Sequence, residues 1–375
     1  MMKEFAKNHE EIQLDIIRDL CHIPAPSYGE KRRAEYCKAY FESIGAEGVY
    51  IDEVNNAIFP LNCEGSQEIT VFAAHTDTVF PDTEFYPEFR EDEERIYCPG
   101  VGDDTASVAA LMLTAKYFLD NKITPKDGVL FVCNSCEEGL GNLVGTKHLF
   151  KEYEGRIKQF ITIDASVGGV VDMAVDSHRY EVVAETEGGH SFSKFGNKNA
   201  IAALAEVVSE IYKIKVPQRE NSTTTYNVGL IEGGTSINTI AQKASMLCEY
   251  RSNNRECLEI MKGEFERIFA AANTDETKLT VKLLGDRPCK GDVDPVAEAR
   301  LIDAYRQAVK TVVGEDIRLS MGSTDANIPM SLGIPAIDVG SRNAYGIHRR
   351  EEYVEKNSLV PGLEIIIRTA LEVTK

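Results

Sequence analysis

Residues 68–77 read Glu68-Ile69-Thr70-Val71-Phe72-Ala73-Ala74-His75-Thr76-Asp77. A short β-branched and aromatic run that is apolar on both faces reads as a buried strand, and this one stops at an imidazole and a carboxylate. The stretches Gly128 to Cys133 and Phe160 to Ile163 share its texture. Between the first two, Val108, Leu111, Met112, Ala115, Phe118 and Leu119 follow helical spacing. Strand, helix, strand predicts an α/β sheet with helices packed on it.

On the N-terminal side, Ile12, Ile16, Ile17 and Leu20 form one helical face that Pro24-Ala25-Pro26-Ser27 breaks. On the C-terminal side the texture changes near Ser177. Tyr180 to Glu187 alternates like a half-exposed strand, followed by a helix from Ala200 to Tyr212 and strands at Val228 to Ile231 and Ala244 to Arg251. A helix from Leu258 to about Ala272 and a strand at Thr280 to Leu284 complete the series. That order is the ferredoxin-like pattern, so residues 178–286 read as an inserted α+β domain between a first catalytic part, 1–177, and a second, 287–375. The α/β texture then returns: Asp294 as N-cap and Pro295 at the first turn open a helix that Gly314 closes, and a last helix runs from about Ser358 to Val373.

The 375 residues suffice for about two domains. With 41 Lys and Arg against 60 Asp and Glu the net charge is −19, which repels phosphate backbones and anionic lipid and argues against nucleic-acid or membrane partners. The nine Cys, with no signal-like apolar stretch before them, suggest reduced thiols and a cytoplasmic location.

Polar residues follow the C-terminal ends of the buried strands, where ligands bind in open α/β sheets. His75-Thr76-Asp77 follows the first, Glu137-Glu138 the second and Asp164 the third, while Gly100-Val101-Gly102-Asp103-Asp104 opens the intervening helix. His348 lies late in the returning part. Singly, each has an ordinary reading as a hydrogen-bonded histidine, a helix cap or a solvated turn. Jointly they offer the nitrogen and oxygen donors of a divalent metal site, most often zinc.

These motifs, in this order along nearly the whole chain, resemble the co-catalytic metallopeptidase family of peptidase T, acetylornithine deacetylase, succinyl-diaminopimelate desuccinylase and aminoacylase. The resemblance implies a discontinuous zinc-peptidase-like catalytic domain with an inserted dimerisation and lid domain, and two divalent ions, zinc or else cobalt or manganese. It further implies that His75 and Asp164 hold one ion, Glu138 and His348 the other, and Asp103 both. Glu137 would be the general base and Asp77 the partner that orients His75. Gly188-Gly189-His190-Ser191 is similar to a segment whose His reaches a partner subunit's site, implying a homodimer. Asn238 and Arg251 resemble residues that hold the substrate's polar end, and Gly322-Ser323 resembles a substrate loop.

Two positions are compared with the family's pattern, and the second bears on specificity. Thr105 stands where many relatives carry Lys, and Asp164 occupies a position that is Asp in peptidase T-like aminopeptidases and Glu in many deacylases and carboxypeptidases. The expected activity is therefore amide hydrolysis by a di-metal-bound hydroxide in a di- or tripeptide aminopeptidase, with a deacylase of N-acyl amino acids as the rival. Cys133-Asn134-Ser135-Cys136 raises a more distant alternative, a thiol redox protein.

Overall fold

The structure, a computed structural model, describes residues 1–375, the side chain of Leu140 excepted. It divides into two compact units, Met1–Ala174 with Lys290–Lys375, and Val175–Cys289.

The first unit is built on an eight-stranded sheet. Its centre consists of Gly128–Asn134, Ile69–His75, Ile157–Ser166 and Ala336–Arg342, adjacent in that order and all parallel. Ala57–Leu61 runs antiparallel on one flank and Gly169–Ala174 on the other. Because successive side chains of a strand point to opposite faces, one run of apolar residues feeds two cores. Phe72, Phe131 and Ile161 join one core, together with Val108, Leu111 and Phe118 from the Ala106–Asp120 helix. Val71, Val132 and Phe160 join the other, with Leu149 and Met330. Both faces of the parallel strands are therefore sealed, and their free C-terminal ends become the natural place for polar side chains.

A small antiparallel sheet of Ala344–Tyr345, Tyr353–Glu355, Arg95–Tyr97 and Arg90–Glu91 carries the connections between the two polar loops. It brackets residues 346–352 and leads into the loop beginning at Gly100.

The second unit is a four-stranded antiparallel sheet in the order Thr224–Gly233, Lys243–Ser252, Asp176–Thr186, Thr277–Arg287, with the helices Ala200–Ile211 and Arg255–Ala272 packed on one face. This is the ferredoxin-like arrangement. Alternation decides its facing: Ala244, Met246, Cys248 and Tyr250 are buried against the helices, while the residues between them are more exposed. Asn199 and Asn254 cap the two helices through their side-chain oxygens. The fold class is thus an α/β catalytic-type domain interrupted by an inserted α+β unit. No helix among the described residues is long and apolar enough to cross a membrane.

One packing constraint can be tested directly. A Cβ on Gly340, which pairs with Ala165 beside the sheet's polar edge, would lie 1.8 Å from the Ser166 carbonyl oxygen. Neither backbone can yield, so Gly340→Ala should lower stability by about 1–3 kcal/mol or more, read as a fall in the urea midpoint.

Candidate metal centre

The four parallel strands deliver their last residues to one edge. His75 ends one strand, and Asp164 lies near the end of its neighbour. Glu137 and Glu138 follow the third strand, and Arg342 ends the fourth. Asp103 enters from the loop before the Ala106–Asp120 helix, and His348 from the segment bracketed by the small sheet. His348 sits in the left-handed region at φ 64°, a conformation that non-glycine residues adopt rarely.

Asp103 is the meeting point. Its Oδ1 lies 2.8 Å from His75 Nε2, and its Oδ2 lies 3.1 Å from His348 Nε2. Glu138 Oε1 is 3.3 Å from His348 Nε2, and Asp164 Oδ2 is 3.8 Å from His75 Nε2. Two donor groups result that share His75: His75 with Asp103 and Glu138, and His75 with Asp104 and Asp164. The imidazole of His75 is completely buried, whereas half of the His348 side chain is exposed. The centre is therefore walled on the sheet side and open on the His348 side.

Asp77 ties the imidazole to the glutamate pair. His75 Nδ1 lies 3.1 Å from the Asp77 carbonyl oxygen and 3.4 Å from its Oδ1, so a proton on Nδ1 leaves Nε2 facing Asp103. The Asp77 carboxylate accepts the Glu137 N–H at 2.9 Å, the Glu138 N–H at 3.0 Å and the Ser27 hydroxyl at 2.6 Å. Despite complete burial, the bonds from His75 and Ser27 hold Asp77 below the usual carboxylate range.

The loop that presents Asp103 is held from two sides. Glu352, fully buried, accepts the N–H groups of Gly100, Gly102 and Asp103 at 3.1, 2.7 and 2.9 Å. Arg342 Nε donates to the Gly102 carbonyl at 2.6 Å. The Thr105 hydroxyl accepts from buried Arg33, which also donates to the Thr76 carbonyl.

The electrostatics favour bound positive charge. Burial, with Asp103 nearby, pushes Glu138 up to about 8, and burial beside Asp103 pushes Asp164 up to about 6. The carboxylates of Asp103 and Glu138 beside it push His348 up to about 10. Asp103 itself is buried, yet the two imidazoles hold it well below the ordinary range. Glu138 Oε1 is buried and accepts no hydrogen bond of good geometry. Buried carboxylates gathered around imidazole nitrogens, with Glu138 Oε1 and Asp104 Oδ1 lacking a hydrogen bond, suit divalent cations of the nitrogen- and oxygen-loving kind.

The remaining residues singled out in the sequence lie elsewhere. Gly322 ends a strand of the first unit, and Ser323 follows it. The next residues lead to Asp325, which is fully buried and bonded to Asn134 and Thr146. His190, Asn238 and Arg251 belong to the second unit. His190 and Asn238 are neighbours there, since Gly189–His190 pairs with Thr239–Ile240 and Ser191 N–H donates to the Asn238 carbonyl. The Arg251 guanidinium is engaged by Glu249 at 2.9 and 3.0 Å. Cys133 and Cys136 are buried, and burial pushes both thiols up, the opposite of an activated redox thiol. No local pattern singles out Glu352 or Arg342, whose placement beside the Asp103 loop depends wholly on tertiary pairing.

A parallel α/β edge lined by imidazoles and carboxylates is a place where divalent cations can be held. The model of peptidase family M20/M25/M40 matches residues 71–372, and the chain belongs to that family. It is a hydrolase of the co-catalytic metallopeptidase and deacylase class. Among curated proteins it is 25% identical to a succinyl-diaminopimelate desuccinylase of Corynebacterium glutamicum, over 89% of each chain. Among solved structures it is similar to aminopeptidase PepT of Bacillus cereus, with TM-score 0.72 and 22% identity over 98% of this chain and 99% of that one. A dinuclear metal-binding peptidase of Bacillus subtilis shares the fold at TM-score 0.65 and 16% identity, over 98% and 99%.

Replacing Glu352 by Ala would leave three N–H groups of the Asp103 loop without their acceptor. At roughly 1–3 kcal/mol for a buried unsatisfied group, Glu352→Ala should cost about 3 kcal/mol or more of stability in urea unfolding. Glu351→Ala, altering an exposed neighbour, should stay within about 0.5 kcal/mol of the unaltered protein.

Proposed function

We propose that the chain is an aminopeptidase for di- and tripeptides that uses two divalent cations, zinc in the first instance. In this reading His75, Asp103 and Asp164 hold one ion, and Asp103, Glu138 and His348 the other. The observation that carries it is the Asp103 carboxylate, whose two oxygens face two different imidazoles at 2.8 and 3.1 Å. When bound, such a pair of ions polarises a carbonyl and lowers the pKa of a water between them towards ~7.

The chain's own residues would supply the rest. Glu137, next to a ligand and fixed through its backbone by Asp77, takes the proton of the attacking water and returns it to the leaving amine. Asp77 keeps His75 in the tautomer with Nε2 free. His190, with Asn238 beside it, would stabilise the developing oxyanion from a partner subunit in a homodimer, and the inserted unit would serve as dimerisation and lid domain. Arg251, with its fork of donors, would exchange Glu249 for a substrate carboxylate, with Gly322 and Ser323 lining the substrate's path. Nine unpaired cysteines suit a reducing cytoplasm.

Asp164 favours a peptidase acting from the amino end. The second reading, a deacylase of N-acyl amino acids, is favoured by the similarity to the desuccinylase. A hydrolysis screen of short peptides with free or blocked amino termini, alongside N-acetyl and N-succinyl amino acids, separates the two. Cleavage of free-amino peptides is expected, and cleavage of acylated substrates alone would give the deacylase reading.

Two variants test the roles. Glu137→Gln should keep about two ions per chain by elemental analysis while turnover falls ~10²–10⁴-fold. Unchanged turnover would remove Glu137 from its role. His348→Ala should lower metal content, and full retention of both ions would show that His348 is no ligand.

A further inference from the structure

Arg342 is a buried cation inside a site that should itself attract cations, and the reaction as proposed gives it no part. Its side chain is 3% exposed, and its donors fan out over one side of the centre. Nη2 lies 3.1 Å from Asp164 Oδ1 and 3.4 Å from Asp104 Oδ1. Nη1 donates to the Ala165 carbonyl and Nε to the Gly102 carbonyl. The guanidinium thus takes one oxygen of Asp164, while the other, Oδ2, is the one turned towards His75 Nε2. Asp164 is fixed from behind as well, because its N–H donates to Asp338 Oδ1 at 2.8 Å. Glu138, at the other half of the centre, has no arginine or lysine ion pair among the described residues. The two halves are therefore supported differently.

We propose that Arg342 is a positioning residue for the cation beside His75: it holds Asp164 Oδ1 so that the carboxylate presents Oδ2 alone. A planar fork suits this task because it can bind a carboxylate and neighbouring carbonyls from one rigid group, which a lysine ammonium cannot span. Partners that orient a ligand in this way typically carry 10–100-fold in metal affinity. The inference rests on the ligand set proposed above, with Asp164 assigned to the His75 side.

Stepwise titration of metal-free protein with Co(II), followed by visible absorption and calorimetry, tests it. Unaltered protein should take up two equivalents. In Arg342→Gln and Arg342→Lys, one equivalent should weaken by ~10–100-fold while the other changes by less than about threefold. The Co(II) spectrum of the weakened equivalent should also change, as Asp164 becomes free to offer both oxygens. In an Asp164→Asn background, Arg342→Lys should have little further effect on that equivalent, because it acts through Asp164. Urea midpoints report folding, and the Lys variant, which keeps charge and stem, carries the test if the Gln variant does not fold.

Wild-type affinity for both ions in Arg342→Lys would overturn the proposal by showing that charge alone suffices. Equal weakening of both ions would overturn it in favour of general support of the Gly100–Asp104 loop. Fewer than two equivalents in the unaltered protein would overturn the ligand set itself, and the inference with it.

Discussion

The structure turns on one carboxylate held between two imidazoles. Asp103 is almost fully buried, and such a group must be neutralised or paired to be tolerated. Here it faces His75 from the sheet and His348 from a loop far along the chain, so its placement requires two distant segments to arrive in register. Glu352 and Arg342 make that arrival possible. One accepts the N–H groups of the Asp103 loop and the other donates to its carbonyl, and both belong to the segment that also carries His348. The loop and its distant partner are thus fixed by the same ten or so residues, and disorder in either would disorder both.

The parallel sheet explains why the centre lies where it does. Strands buried on both faces leave few places for polar side chains other than the strand ends, and the neighbouring strands bring those ends together. The second unit has its own core and its own capped helices. His190 and Asn238, to which the proposed function gives a part, share a short two-stranded connection apart from that core.

Much of this was legible in the sequence where local pattern and tertiary role coincide. The run at Ile69–His75 ends on its donor, and alternation along Lys243–Ser252 gives the facing of the inserted sheet directly. The pattern failed where a buried position is polar. The strand Ala336–Arg342 is interrupted by Asp338, whose carboxylate is satisfied by the Asp164 N–H, a partner that sequence spacing does not reveal. The helix Lys31–Ser43 begins with three basic residues, yet Arg33 is buried because it donates to carbonyls of Leu20, Ile23 and Thr76. Glu351 and Glu352 look alike in sequence, and only the loop they face makes the second an acceptor for three N–H groups.

The most direct measurement is anomalous diffraction at a metal absorption edge from crystals grown with that ion. The account predicts two peaks about 3.5–4 Å apart, with one oxygen of Asp103 on each, His75 and Asp164 around the first and Glu138 and His348 around the second. A single peak, or a pair of peaks that Asp103 does not bridge, would contradict it.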